Sequence, residues 1–463
     1  MKKALSLIGA ALALVFTAPA FAEDAAGDWG GLLMGQLHII VHVKKDDKGQ
    51  YSAALESPDQ GKFVLPADSV SATPDHLAFA IAKINGSYDG KWDDAQKAWV
   101  GTWTQGQPMP LVLKRLVDGK VVAEAPKRPQ EEAIAAGPRP YTSQDVAFDN
   151  AATGIKLAGT FSVPQGKAPF PAVVLIAGSG PHTRDEDVFG HKVFLVLADA
   201  LNRAGIAVLG YDKRGIGAST GDYANATTTN FTTDAEAAVT WLKTRPEVDP
   251  AHIGVIGHSE GGLIAPAVAA SDPSVRFVVL MAGPGLPGDQ ILLMQQAAIA
   301  RAGGQPETVI AAAGKTNKAV FDMIKSAQSL DDAKAKAAAM ATDMAASGQM
   351  TPAQAQTALA TITTPWFYEF IRSDPRPTLE KVKVPVLAIN GALDTQVPPK
   401  EDLAAIKEAL KNNADATITE LPGLNHLFQA AKTGAPSEYM GIEETMSPVA
   451  QKTITDWVTA HSR

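Results

Sequence analysis

The sequence predicts two folds in one chain. A small all-β domain comes first. An α/β domain follows, with a mostly parallel sheet flanked by helices and interrupted by a helical insertion. Three observations predict this. Residues 23–122 hold short β-rich runs separated by turn signals. From residue 143 onward, buried apolar runs alternate with helix-period segments, which implies a parallel sheet with right-handed crossovers. One of those runs, Ile253 to Ile256, leads into Gly257-His258-Ser259-Glu260-Gly261 and then a small apolar stretch, so that strand, sharp turn and helix succeed one another.

Composition limits the function classes. The 463 residues leave room for two or three domains. Hydrophobic content of 46% and charged content of 19% are ordinary for a soluble protein. A formal net charge of −8 disfavours a nucleic-acid partner. With no cysteine there is no disulfide, no thiolate metal site, no cysteine nucleophile and no lipid-modified N-terminal cysteine. Lys2 and Lys3, an apolar run from Ala4 to Phe16, and Ala20-Phe21-Ala22 together read as a secretory signal peptide over residues 1–22. The mature chain is then expected to start at Glu23, to be exported to the periplasm or beyond, and to have no stable membrane anchor.

In chain order, Leu37 to Val43 is β-rich and returns as Tyr51 to Leu55 after a turn at Asp46 to Gly49. Further strands are expected at Lys62–Leu65, Leu77–Lys83, Ser87–Trp92, Ala98–Gln105 and Leu111–Leu116, which suggests a small antiparallel barrel or sandwich. No catalytic constellation occurs there; His38 and His42 read as strand-face residues because no third ligand is near. Residues 123–142, with Pro126, Pro129, Pro138 and Pro140, read as an exposed linker.

The larger domain, residues 143–463, opens with an antiparallel pair, Val146–Phe148 and Ile155–Val163. Strands are expected at Ala172–Ile176, Ile206–Leu209, Phe277–Met281, Pro385–Asn390 and Ala416–Leu421. Helices are expected at Val193–Arg203, from a cap at Thr233-Asp234 to Trp241, around Asp402–Leu410, and from Pro448 behind the cap Ser447. Between about 286 and 374 the pattern is helical, rich in Ala and Gln, and carries Met294, Met323, Met340, Met344 and Met350. This block is either a packing subdomain or a cap over the serine; the cap is the expectation.

Gly-x-Ser-x-Gly alone is weak evidence among 39 glycines, and Gly217-Ala218-Ser219-Thr220-Gly221 matches it too. The second match is followed by polar residues, Asp222 to Thr229, which read as a loop. Ser259 is favoured by its strand and helix. A serine hydroxyl needs a base, and the base needs a carboxylate to fix its tautomer. In this topology the order is Ser, then an acid, then His. Asp394 follows the Pro385–Ile389 strand and His426 follows the next, both at the strand ends where open α/β sheets gather their sites. The Glu260 backbone N–H is one expected oxyanion donor; Ser179 in Gly178-Ser179-Gly180 is the second, with Gly180 as the alternative. Arg184, Asp185, Glu186 and Asp187 are read either as ion pairs holding that loop or as an exposed charged turn.

Region 143–463 resembles the α/β-hydrolase superfamily, and within it bacterial carboxylesterases of the esterase D type, which are similar to S33-like serine aminopeptidases. The residues that carry the resemblance are Gly178-Ser179-Gly180-Pro181 with Arg184-Asp185, Tyr211-Asp212-Lys213-Arg214-Gly215-Ile216-Gly217, Gly257 to Gly262, Pro365-Trp366-Phe367, Asn390-Gly391 with Asp394, and Asn425-His426. Ser57 to Gly61 and Gly101 to Gln105 resemble the β-rich module that precedes many such enzymes. Ala177 stands where many members carry histidine. The resemblance implies ester hydrolysis through an acyl-serine, a small-molecule ester substrate, and neither metal nor cofactor. The rivals are a serine exopeptidase on the same triad, with Glu260 or Glu369 holding a free amine, and a non-catalytic binding protein.

Overall fold

The computed structural model describes residues 24–462 apart from 34–36, 59–63, 85, 95, 106, 118–119, 122–126, 348–358 and 360–361. The expected signal peptide, Pro126 and Met350 lie outside the described residues, as do Asp59 to Gly61. The chain divides into two compact units at residues 124 and 125.

The first unit is antiparallel throughout. Its strands are β1 (Gly27–Leu33), β2 (Leu37–Lys45), β3 (Tyr51–Glu56), β4 (Val64–Pro66), β5 (Ser69–Thr73), β6 (His76–Ile81), β7 (Gly86–Asp93), β8 (Ala98–Gln105), β9 (Gln107–Val117) and the short β10 (Lys120–Val121). The order is β4-β3-β2-β1-β9-β8-β7-β6-β5, with β10 on β9. The two edge strands are consecutive in the chain, and Ala67 and Asp68 between them donate to Ala53 and Ala80 on either side. The sheet therefore curls until its edges are joined, which removes the hazard of an open edge. Period-two alternation buries Ile39, Val41 and Val43 on β2 and Leu77, Phe79 and Ile81 on β6. Trp29, Trp99 and Trp103 fill the interior; Trp29 and Trp92 each meet Trp99 edge-on. His42 lies against Asp28 and Glu56 on the surface. Among the described residues no His, Cys, Asp or Glu group is arranged to hold a metal.

The second unit is built on an eight-stranded sheet. Its elements in chain order are helix α1 (Pro129–Ala136), β11 (Tyr141–Asn150), β12 (Ile155–Pro164), β13 (Phe170–Ile176), the small hairpin β14 (Asp187–Val188) and β15 (His191–Lys192), α2 (Val193–Arg203), β16 (Ala207–Tyr211), α3 (Thr228–Leu242), β17 (Val248–His258), α4 (Gly261–Ser271) and β18 (Val275–Met281). The helical insertion follows, with α5 (Gly288–Ala302), α6 (Glu307–Ser326), α7 (Leu330–Ala346), α8 (Pro365–Arg372) and α9 (Arg376–Leu379). Then come β19 (Val386–Gly391), α10 (Pro399–Ala409), β20 (Ala416–Leu421), α11 (Pro436–Tyr439) and α12 (Pro448–His461). The sheet order is β11-β12-β16-β13-β17-β18-β19-β20; β11, β12 and β16 pair antiparallel and the rest parallel. Both faces are covered. Residues such as Val174, Val255 and Val278 pack with α3, α4 and α10 on one side, and Leu175, Ile256 and Val279 pack with α2 and α12 on the other.

Two sequence expectations need correction. The stretch read as an exposed linker is instead bonded into the second unit from Arg128 onward. Arg128 is 7% exposed and its guanidinium donates to the carbonyls of Gly190, Met440 and Ile442. Glu131 accepts from the Lys192 N–H and the Thr445 hydroxyl. Pro129, one of the prolines that suggested a linker, starts a helix, because proline at the first helical position has no N–H to lose. In the same way, α3 begins at Thr228, not after Thr233. Thr227 and Asn230 form a capping box, and the buried Phe231 anchors the first turn.

Candidate active site

β17 runs out at His258 and α4 starts at Gly261, so Ser259 occupies the turn between them. Its φ is +52°, a left-handed conformation that a residue with a side chain adopts only under constraint. The surroundings supply that constraint. A Cβ on Gly257 would lie 2.0 Å from the Gly261 carbonyl, and one on Gly261 would lie 2.0 Å from the Ile176 carbonyl. Gly262 meets Gly283 in the same way. The Ser259 N–H is held by the Met281 carbonyl at 2.9 Å. Backbone thus approaches backbone from three strands, and only glycine permits it.

Two adjacent strand ends carry the next residues. Asp394 follows β19; one carboxylate oxygen accepts the N–H groups of Gln396 and Val397, at 2.7 and 2.9 Å. The other oxygen takes His426 Nδ1 at 2.7 Å. His426 follows β20 in a loop organised by Asn425, whose side-chain oxygen accepts from Leu427 and Gln429. With Nδ1 donating to Asp394, the tautomer leaves Nε2 as the acceptor. The structure therefore brings Asp394 and His426 together, both at least 95% buried. The His426 ring also contacts that of His258, the neighbour of Ser259, with ring centres 4.8 Å apart.

The loop after β13 abuts the elbow: a Cβ on Gly178 would lie 3.1 Å from the Ser259 Cβ. The Gly178 N–H donates to Glu186 at 2.6 Å. Among the described residues neither Ser179 N–H nor Glu260 N–H has a partner. The two amides the sequence left open in this loop, Ser179 and Gly180, are both uncommitted among the described residues.

In the sequence, several groups around the site are only motif residues without a task. Asp212, Lys213 and Arg214 all follow β16, and all are buried and paired with different elements. Asp212 receives Arg184 in a two-pronged pair, and that guanidinium reaches on to Asp145. Burial opposes charge on Asp212, yet Arg184 and two backbone N–H groups hold its carboxyl below the usual range. Arg214 forks onto Asp234. Lys213 meets Glu260 at 3.0 Å and donates to the Gly178 carbonyl. Glu260 also accepts the Thr228 hydroxyl at 2.7 Å and the Trp366 indole N–H at 2.6 Å. One buried carboxylate beside the serine thus joins β16, α3 and helix α8 of the insertion. The signal in the sequence was three charges at the end of a buried strand, a place where charge is tolerated only when paired.

Glu186 resolves the question of the charged loop, since it pairs with His258 at 2.9 Å. Ser219 sits in a buried turn, donating to the Asp212 carbonyl and accepting the Ala158 N–H. The remaining histidines of this unit are engaged elsewhere: His252 with Asp249, His182 with the Ser179 carbonyl, His191 with the Tyr439 carbonyl, His461 with the Trp457 carbonyl. A cavity of about 520 Å³ lies among α3, α4 and α8, lined by Thr228, Leu263, Pro266, Tyr368, Glu369 and Arg372; Ser259, Asp394 and His426 do not line it.

A family model described as serine aminopeptidase, S33, matches residues 172–430, which hold the serine, the aspartate and the histidine. Esterase EstD of Thermotoga maritima is 27% identical over 70% of this chain and 69% of its own. An uncharacterized protein of Mycobacterium tuberculosis is 29% identical over 31% of this chain and 49% of its own. Among solved structures, an esterase of Pyrococcus furiosus covers 70% of this chain and 92% of its own at 16% identity and a TM-score of 0.44.

Proposed function

This chain belongs to the serine aminopeptidase S33 family of α/β hydrolases, and within that family we propose that it is a carboxylic ester hydrolase working through an acyl-serine. The observation that carries the reading is the strained Ser259, φ +52°, next in sequence to a His258 whose ring is 4.8 Å from that of His426, itself fixed at Nδ1 by Asp394 at 2.7 Å. His426 Nε2 takes the Ser259 proton as Oγ attacks the ester carbon. The oxyanion is received by the N–H groups of Ser179 and Glu260, at the start of α4 where the helix dipole favours negative charge. His426 returns the proton to the leaving alcohol; water then repeats the sequence and frees the acid. Asp394 keeps the tautomer and stabilises the imidazolium.

An ester is favoured over a peptide by the state of Glu260. Its carboxylate already serves Thr228 and Trp366, and its charge is already matched by the buried Lys213 ammonium, so it is not a spare anion for the free amine of a peptide. The likeness to the Thermotoga esterase supports the same choice. The substrate is a small-molecule ester, and the insertion, docked through Trp366, is its cap. We also propose that residues 1–22 are removed on export; N-terminal sequencing of the mature protein should begin at Glu23. Turnover of p-nitrophenyl acetate, set beside an aminoacyl p-nitroanilide, tests the main reading. Faster anilide cleavage would make it an exopeptidase. Failure of a fluorophosphonate to label Ser259 would leave only a binding protein.

A further inference from the structure

His258 lies outside the steps just described, yet it is enclosed in the middle of them. Its ring, 2% exposed, ends β17. Nδ1 faces the Glu186 Oε1 at 2.9 Å, and Nε2 faces the main-chain carbonyl of His426 at 3.0 Å. Both partners only accept. The Glu186 oxygen already receives the Gly178 N–H at 2.6 Å, so it is not the oxygen that carries a proton. A neutral imidazole has one N–H. Either neutral tautomer would therefore set a lone pair against a lone pair at about hydrogen-bond distance, in a place water does not reach.

We propose that His258 is a permanent imidazolium, clamped by Glu186, that positions the main chain of His426. This rests on the reading of His426 as the base. The clamp joins three chain segments: the loop that offers Ser179, the elbow that offers Ser259, and the loop that carries His426. Its ring lies 4.8 Å, centre to centre, from the His426 ring. The groups facing His258 are Glu186 and His182 from the loop after β13, His426 after β20 and Asp394 after β19, with Phe428 closing the apolar side. Burial works against charge on both members of the pair, and their mutual attraction overcomes it: the His258 imidazole is held above its ordinary range and the Glu186 carboxyl below.

The test is the kinetics of p-nitrophenyl acetate hydrolysis, with a direct look at the ring. In His258→Gln kcat should fall about tenfold while KM stays within about twofold, since the pair orients the base and does not bind substrate. A merely structural role would raise KM along with the loss of kcat, and that result overturns the proposal. Should the variant not fold, wild-type protein labelled with ¹⁵N-histidine answers alone. Of its nine histidine rings, one should keep the imidazolium pattern from pH 5 to 8.5; nine neutral or freely titrating rings overturn the proposal. Fluorophosphonate labelling of the wild type keeps the two readings apart: without labelling the base role of His426 fails, while the ring spectrum still reports on His258.

Discussion

The same five-residue pattern occurs twice in this chain, forty residues apart, and the two copies have opposite fates. At Ser219 the hydroxyl is buried between the Asp212 carbonyl and the Ala158 N–H, and both its donor and its acceptor capacity are used by the backbone. At Ser259 the backbone is strained, the residue is partly exposed, and the hydroxyl has no partner among the described residues. The flanking glycines differ in the same sense. Gly217 and Gly221 have positive φ, at +58° and +109°, and serve the bends of a loop. Gly257 and Gly261 have ordinary φ and are needed for closeness, since a Cβ there would lie 2.0 Å from a carbonyl oxygen. The lesson is that the fold satisfies one hydroxyl and leaves the other unsatisfied, as the proposed nucleophile requires.

The comparison can be broken most decisively at the hydroxyls themselves. Ser259→Ala should lower kcat for p-nitrophenyl acetate on the order of 10⁶-fold with an unchanged circular-dichroism spectrum. Ser219→Ala should leave kcat within about twofold, and equal losses in the two variants would erase the distinction. Asp394→Asn should come next, at about 10⁴-fold, because the amide favours the wrong histidine tautomer; the pH-rate profile would show the loss across the whole range. Gly261→Ala should cost more stability than any change at Gly221, by about 1–3 kcal/mol or more, because overpacking against Ile176 has no soft neighbour to displace. Urea midpoints of the two alanine variants measure the difference. The smallest effect should be the stability cost of Ser219→Ala, about 1–3 kcal/mol, as two buried backbone groups lose their partner. A loss near zero would mean that this hydroxyl is not structural.

Much of the architecture was legible because it is periodic. The span of α2, the run of β13 and the Ser447 cap of α12 follow from local spacing and came out within a residue or two of expectation. What escaped was what periodicity does not mark. β1 was missed because Gly-Asp-Trp-Gly-Gly-Leu-Leu looks like a turn; its Gly31 is there so that the Val112 carbonyl can come close. β5, Ser69–Thr73, has too little apolar content to signal a strand and is held by β6 alone. α1 was hidden behind its prolines. Among site residues, Ser259, Asp394 and His426 were readable from motif and order, whereas Trp366 was visible only as a motif residue without a task.

By itself, then, the sequence determined the α/β class, the β-rich first unit, the succession of Ser259, Asp394 and His426, and the strand ends on which they stand. These depend on spacing along the chain, which hydrophobic burial translates directly into elements. Only the tertiary structure decided which charges pair and which amides stay uncommitted. Lys213 meets Glu260 forty-seven residues away, and Glu186 meets His258 seventy-two residues away. The Gly178 amide is taken by Glu186, and Ser179 and Gly180 are left. Such choices depend on distances between segments far apart in the chain, and a buried polar group's state is set by whatever the fold places within hydrogen-bond reach.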